Sequence, residues 1–568
     1  MIKQRADTVL ILTSLAGQMN DAQVLGTGGW LPPEEREALD WMTLVAMLGW
    51  KVKFEDPTSL HGAHFENHRI KWVILTGDPD TISSDTWEQL LHIIRTNQLL
   101  FITRAGKING WLSRHFKISM SDENLPGDRL QFIHPSFSKE WSLKNQLVLQ
   151  ELKATVKFNK VLSLSGSCIA GTIDVYTSKI LFLSFHSSIA RDCEPVFTAI
   201  LKQLLIFESV HPVAWFEWKN TMILRMDDPG SSQPVHDNSF QTTKLGEVEW
   251  ELIGEALFQK DARMSLAYVP AWTDDGDNSR GQLEIDGHPV LRTAGDIYPS
   301  PSVKYHKNLP KGITRVFDYQ EEFRGIEKLR STGLAEVELH GYTHIHPDKN
   351  SWLNAADRNE NKKWYREFGK SAASFISNLA EEKHPLSSGI EAFQKTFRSL
   401  PSTIIFPGEE FTANVLKKFL KSGLNLISSY YLGMRVGRQL CWNYYVCSPY
   451  LDLVDSRWFD QELPVVGYFH DFDVLINGID WFTQHLERWQ QAGANYFIDF
   501  RQLSSILDRT ISLNEIASQF ELNLHSEKHS PFLKPVRVGF HIPSRNFSSF
   551  YLLNNNQGHE IKLPVQAV

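Results

Sequence analysis

Cysteine is scarce, at four residues in 568. Four thiols cannot staple a chain of this length, so a disulfide-built fold is excluded. Cys441 and Cys447 are close enough to pair, but isolated buried thiols are the simpler expectation. No Cys-x-x-Cys pair occurs, so no thiolate zinc site is expected. Positive charge is not in excess. A net charge of −8 argues against nucleic acid or an anionic membrane as the main partner. No apolar run approaches the ~20 residues of a membrane span. Near the N-terminus, Val9-Leu10-Ile11-Leu12 is too short for a signal-peptide core and ends in Thr13-Ser14. A cytoplasmic chain without a membrane span is therefore expected. Repeats and low-complexity tracts are absent as well.

What remains is a soluble globular composition, 42% hydrophobic and 22% charged, with ample material for a core. The length predicts two or three domains. Residues 1–207 alternate between strand and helix signals. Strands are expected at Val9–Leu12, Trp50–Phe54, Trp72–Leu75, Leu99–Ile102 and Lys179–Leu183. Helices are expected from Pro32, with Leu39, Met42, Val45 and Leu48 on one face, at Thr86–Arg95, and at Pro195–Phe207. This rhythm predicts a flavodoxin-like parallel sheet with helices on both faces.

The order of these elements resembles the class I glutamine amidotransferases. The resemblance implies a cysteine on the turn after Leu99–Ile102, where the chain reads Thr103-Arg104-Ala105-Gly106. Cys168, in Ser165-Gly166-Ser167-Cys168, comes too late in the order to replace it. His186 lies where the family histidine would be, with no nucleophile to activate. A non-catalytic domain is expected.

His211-Pro212-Val213 is taken as a linker. From 221 to 508 a second α/β rhythm is expected. Its strands are Met222–Arg225, Ser265–Val269, Glu336–Leu339, Thr403–Phe406, Leu424–Ser428, Val465–Phe469 and Tyr496–Ile498. Its helices are Val248–Phe258, Asp318–Thr332, Lys362–Glu382, Ala413–Ser422, Ile476–Gln491 and Phe500–Leu507. Seven strand–helix units predict an irregular (β/α)7-type barrel, with functional groups at the C-terminal strand ends. Asp227, His340 and His470 fall at such ends. Residues 512–568 read as a small β appendage.

Two motifs in this second region carry chemistry. His340-Gly341-Tyr342-Thr343-His344 offers two imidazoles four residues apart, which one helical turn would place on the same face. Met226-Asp227-Asp228-Pro229 offers adjacent carboxylates after the apolar run Met222-Ile223-Leu224. Two histidines and one carboxylate form a common open ligand set for a divalent transition metal, and the second carboxylate is then free to act as a base. Taken singly, an Asp-Asp pair before Pro-Gly is most often a turn, and a His-x-x-x-His pair is often two surface histidines. Their order and their placement at strand ends raise the functional reading above those. His346 competes with His344 as a ligand if the segment is extended, while Gly341 favours a tight turn.

Arg225-Met226-Asp227-Asp228-Pro229-Gly230 resembles the first motif of the polysaccharide deacetylases (NodB-homology, carbohydrate esterase family 4). His340–His344 resembles their second motif, Phe406-Pro407-Gly408 a reduced third, and Gly467-Tyr468-Phe469-His470-Asp471 the last. The resemblance covers about 280 residues, 221–508, in the family's order. It implies Asp228, His340 and His344 as metal ligands, Asp227 as the base and His470 as the acid. It further implies zinc, with cobalt, nickel or manganese as alternatives, and an N- or O-acetylated glycan substrate. Where the family carries an arginine before the third-motif proline, this chain has Ile405; Arg225, on the same strand face as Asp227, is the candidate replacement. Asp452 and Asp455 are candidates to orient His470, with Asp471 or Asp473 the alternative if His470 is merely a satisfied buried histidine. Arg225, Tyr342, Pro407 and Trp272 are candidate substrate contacts. The acidic loop Trp272-Thr273-Asp274-Asp275-Gly276-Asp277 reads as solvated by default, and Glu409 as a surface residue. The expected function is a metal-dependent carbohydrate deacetylase. A glycan-cleaving or other metal hydrolase, and a non-catalytic glycan- or protein-binding module, are the alternatives.

Overall fold

The computed structural model describes residues 6–16, 33–60, 65, 69–135, 137–192, 195–237, 240–353, 364–436, 439–516, 519–526, 535–553 and 560–563. Two nine-stranded sheets dominate it. In the first, five parallel strands run in the order Lys51–Glu55, Asp7–Leu12, Arg69–Leu75, Leu100–Arg104, Ser178–Leu183. Apart from the edge strand Lys51–Glu55, their largely apolar runs suit strands covered on both faces. Helices Pro33–Met47, Ser84–Thr96 and Val196–Phe207 fall where the periodicity places them. The sequence reading left out the antiparallel half of this sheet. Ser167–Val175, Asn159–Leu164 and a long hairpin, Ile118–His134 with Phe137–Ala154, extend it.

Cys168 lies on one of these antiparallel strands, and burial pushes its thiol up to about 11. Burial, reinforced by the Arg104 charge, takes His186 down to about 4. Its Nδ1 lies 3.4 Å from Glu37. Among the described residues no thiol stands beside it.

The second sheet contains seven parallel strands: Thr221–Asp227, Met264–Tyr268, Ala335–Leu339, Thr403–Ile405, Leu426–Ser428, Val465–His470 and Tyr496–Ile498. They coincide with the seven expected segments. Two strands beyond that expectation, Tyr431–Val436 and Gln439–Cys447, add an antiparallel edge. The ends of the sheet approach each other where Tyr450 bridges Tyr468. The expected helix over Lys362–Glu382 is not formed. Residues 361–363 lie outside the described set, and 364–383 hold turns and short helical pieces, with a full helix following at Pro385–Phe397. Helix Ile476–Gln491 is two, Asp471–Asn477 and Ile479–Ala492, broken at Gly478, whose φ is 83°. Between Tyr268 and helix Tyr319–Ser331 the chain inserts two small antiparallel sheets. No helix among the described residues is long and apolar enough to cross a membrane.

The segment read as a linker is structured. Val213–Phe216 pairs antiparallel with Val536–Ile542 of the tail, which pairs with Phe547–Leu553. Trp50 donates to Ala214 O at 2.6 Å and Trp218 to Met47 O at 2.6 Å, while Trp50 and Trp72 stack at 4.0 Å. One buried cluster takes in residues of both large sheets and the tail, among them Trp72, Val213, Ile223, Ile511 and Val538. Within this contact Lys202, 3% exposed, bonds Glu217 at 2.9 Å and Glu462 at 3.1 Å. Lys202→Met removes the buried cation from both carboxylates and leaves Glu462 only the longer contact to Lys139 at 3.5 Å. It is expected to lower stability by about 3 kcal/mol, read from the denaturation midpoint.

Candidate active site

The apolar run Met222-Ile223-Leu224 buries its strand between two neighbours, and the strand ends on two carboxylates. Asp228 turns the chain at φ 80°, followed by Gly230 at φ 82°, where a Cβ would lie 2.3 Å from Val269 O. Lys244 Nζ donates to Asp228 O at 3.2 Å, and Gly230 N donates to Glu322 at 2.9 Å. Lys244 also pairs with Glu322 and Asp471.

The neighbouring strand end supplies the histidines, and here the expected helical turn is not formed. Residues 340–346 make a tight non-helical turn with Gly341 at φ 70° and His344 at φ 61°. Glu367 braces it, accepting from Tyr342 N at 2.8 Å and Thr343 N at 3.1 Å. Burial raises the Glu367 carboxyl to about 7.

His340 Nδ1 donates to Ile405 O at 2.9 Å, which fixes the tautomer and turns the Nε2 lone pair toward Asp228. His340 Nε2 and His344 Nε2 lie 3.3 and 3.2 Å from Asp228 Oδ1. One ligand atom from each of the three lies within 4.8 Å of the other two. Asp228 Oδ1 and His344 Nδ1 are buried with no hydrogen-bond partner. An orphaned carboxylate oxygen facing two imidazoles is the donor set a divalent transition ion takes, so the residues present fit such an ion. His346 stays out of the group: its ring accepts from Asp348 N at 3.2 Å.

Asp227 is held differently. Arg225, with no exposed surface, donates to both its oxygens at 2.9 and 2.6 Å. Arg225 also bonds Ser428 Oγ at 3.0 Å, pairs with Glu409, and lies 4.7 Å over the Tyr468 ring. Burial works against its charge, but Asp227 and Glu409 outweigh that and raise its pKa. Arg225 is thus a partner of Asp227 inside the wall. Glu409, expected on the surface, is 13% exposed in its side chain and belongs to the site.

His470 donates its orienting contacts to Asp473, not to Asp452 or Asp455. Asp473 Oδ2 lies 3.3 Å from His470 Nδ1 and 2.8 Å from its backbone N. Burial opposes the charge on His470, but Asp473, Asp228 and Asp227 together raise it to about 9. Asp455 binds Arg457 instead.

These groups face a cavity of about 680 Å³, whose walls also include Phe240, Trp364, Tyr365, Tyr430, Tyr450 and Phe472. Trp272, a candidate substrate contact, is not among them. It is fully buried against Tyr305, Tyr319 and His236. Tyr342 and Pro407 do not line the cavity either; the Pro407 ring packs where a Cβ on Gly341 would go. Asp274 and Asp275, read as a solvated loop, are buried on Arg292 and Arg280. Sequence reasoning missed Glu367, Arg366 and Lys244. None stands at a spacing that links it to the motifs it serves; the one local signal was Glu409, following Pro407-Gly408.

No protein-family model matches the chain, and no curated protein does. Solved structures do match parts of it. A putative polysaccharide deacetylase from Mycobacterium smegmatis is 12% identical over 52% of this chain and 93% of its own, with a TM-score of 0.30. A CE4 family pseudoenzyme from Bacillus anthracis is 10% identical over 50% and 66%, with a TM-score of 0.26. An exo-beta-1,4-mannosidase from Opitutaceae bacterium strain TAV5 is 11% identical over 35% of this chain, with a TM-score of 0.23, and the match spans 34% of that mannosidase.

Two outcomes follow from the geometry. Gly341→Ala puts a Cβ 2.3 Å from Glu367 Oε2 and 2.7 Å from Pro407. It is expected to weaken zinc or cobalt binding about tenfold to a hundredfold in a competition titration. In metal-free protein His470 titrates near 9 against an ordinary 6.5, so its charge stabilises the fold fully below pH 6.5 and the contribution is lost as pH rises through 9. Asp473→Asn removes the hydrogen-bonded carboxylate and is expected to bring the ring's NMR titration midpoint down toward 6.5.

Proposed function

We propose that the chain is a metal-dependent hydrolase that removes an acetyl group from an N-acetylated sugar, with O-acetyl groups as the alternative bond. The observation that carries this reading is the grouping of Asp228, His340 and His344, with a second carboxylate, Asp227, beside them but committed to Arg225. Zinc suits this nitrogen and oxygen set best, with cobalt, nickel or manganese as substitutes. Once bound there, such an ion supplies Lewis acidity toward a carbonyl and acidity to water.

The chain's own residues account for the proton movements. Asp227 takes the proton that the attacking water releases as its oxygen bonds to the acetyl carbon. Arg225 holds that carboxylate in one orientation and favours its ionised form, the part the family arginine would play where this chain has Ile405. His470, kept charged by Asp473, gives its proton to the nitrogen as the carbon–nitrogen bond breaks. The products are acetate and a free amine. Aromatic side chains on several sides of the cavity support a sugar as the occupant, since their faces pack against the C–H faces of pyranose rings. In this reading residues 221–508 are an irregular (β/α) barrel with the site at its C-terminal strand ends. Residues 1–207 and 512–568 are then a non-catalytic α/β domain and a β appendage.

Asp228→Ala is expected to abolish zinc binding. Asp227→Asn is expected to keep zinc and lower kcat about a hundred- to ten-thousandfold. The measurements are metal content of the purified proteins and acetate release from a panel of acetylated sugars. Wild-type turnover in both variants overturns the assignment. Zinc and sugar binding without acetate release from the wild-type protein favours a glycan-binding module.

A further inference from the structure

Two residues that line the cavity each carry a buried polar atom that the mechanism leaves without work. Glu409 pairs one carboxylate oxygen with Arg225 and leaves Oε2 buried with no partner. Arg366 donates through Nη1 to Glu410 at 2.7 Å and also hydrogen-bonds the Tyr365 side chain, while its Nε is buried with no partner. Both residues line the cavity. Gly408 lets them share it. Its φ is 64°, and a Cβ there would lie 3.0 Å from Arg366 Cγ and 3.0 Å from the Tyr365 ring. Glu409 follows at φ 57°, a backbone state rare for glutamate. Buried donors and acceptors in folded proteins are paired by protein, water or ligand, so an unused acceptor and an unused donor on one cavity wall call for a partner that offers both.

Resting on the reading of the cavity as a sugar site, we infer that Glu409 and Arg366 form a two-point subsite that grips the hydroxyl groups of a neutral sugar ring beside the reacting acetyl group. A hydroxyl donates to Glu409 and its neighbour accepts from Arg366 Nε. Tyr365 and Tyr430, also on the cavity wall, offer apolar faces to the ring. Four carboxylates line the cavity, those of Asp227, Asp228, Asp237 and Glu409, so uronic acids are disfavoured and neutral rings accepted. The subsite selects substrate through affinity, whereas Arg225 acts on the base.

Two substitutions separate these roles. Glu409→Gln keeps an oxygen for Arg225 and turns the other acceptor into a donor. Arg366→Lys keeps a cation for Glu410 and removes the Nε–H. Calorimetry on zinc-loaded Asp227→Asn protein, with a tetrasaccharide of N-acetylglucosamine as probe, is expected to show each substitution weakening binding about tenfold or more. In the Asp227 background Arg366→Lys raises KM by a similar factor with kcat within about threefold and zinc content held, whereas Glu409→Gln, which also touches Arg225, is read by binding. An oligogalacturonide of equal length is expected to bind less tightly than the neutral probe. Unchanged affinity in both variants overturns the subsite, as does a fall in kcat at constant KM in Arg366→Lys. If the wild-type protein releases no acetate, the deacetylase reading fails, and the binding arm still decides the subsite. If it releases acetate and both variants keep wild-type affinity, the subsite alone fails.

Discussion

A guanidinium with no exposed surface has to be surrounded by acceptors, because an unpaired buried charge costs several kcal/mol. Arg225 meets that demand by drawing on three places in the chain: Asp227 from its own strand, Glu409 from the loop after Thr403–Ile405, and Ser428 from the end of Leu426–Ser428. Each contact fixes how far a strand end projects. Once Asp227 is committed inward to Arg225, the next residue turns away, and Asp228 faces the histidines. The separate orientations of the two adjacent carboxylates are therefore a packing result.

The turns that carry Asp228 and His344 are held in the same manner. Asp228 and His344 both occupy the left-handed region, a strain of roughly 1–3 kcal/mol each that persists only when the surroundings fix it. Buried side chains do the fixing. Glu367 takes the amides of the histidine turn, Glu322 takes Gly230 N, and Lys244 takes Asp228 O. Lys244 also reaches Asp471, beside His470, so one ammonium ties the first motif to the last.

The seven parallel strands were legible because most are short, largely apolar and buried on both faces, a local property. The four motif residues were legible because their chemistry is rare in such company. Convergence was legible only as an idea: a helical turn at 340–344 was the wrong device, since Gly341 at positive φ makes the turn that brings the rings together. The hairpin Ile118–His134 with Phe137–Ala154 escaped because it is wet on much of both faces, so no apolar alternation marks it. Glu409 escaped because its burial depends on Arg225, 184 residues earlier. Trp272 misled because an aromatic after a strand reads alike whether it faces a ligand or, as here, an inserted sheet. The helix expected at 362–382 gives way to turns that hold Arg366 and Glu367 just before Gly369, and a full helix starts only at Pro385.

The tail strand has a bearing on how the chain comes to be folded. Val213–Phe216 finds its partner more than 300 residues later, at Val536–Ile542, and Ile511 N donates to Gly49 O at 2.7 Å across the same seam. Until that later strand has been made and docked, Trp215 and its neighbours lack the cover that Val536–Ile542 gives them. Contacts of such long sequence separation form slowly and expose apolar surface meanwhile. A shortened chain that keeps every ligand yet stops before residue 536 would carry an unsealed core.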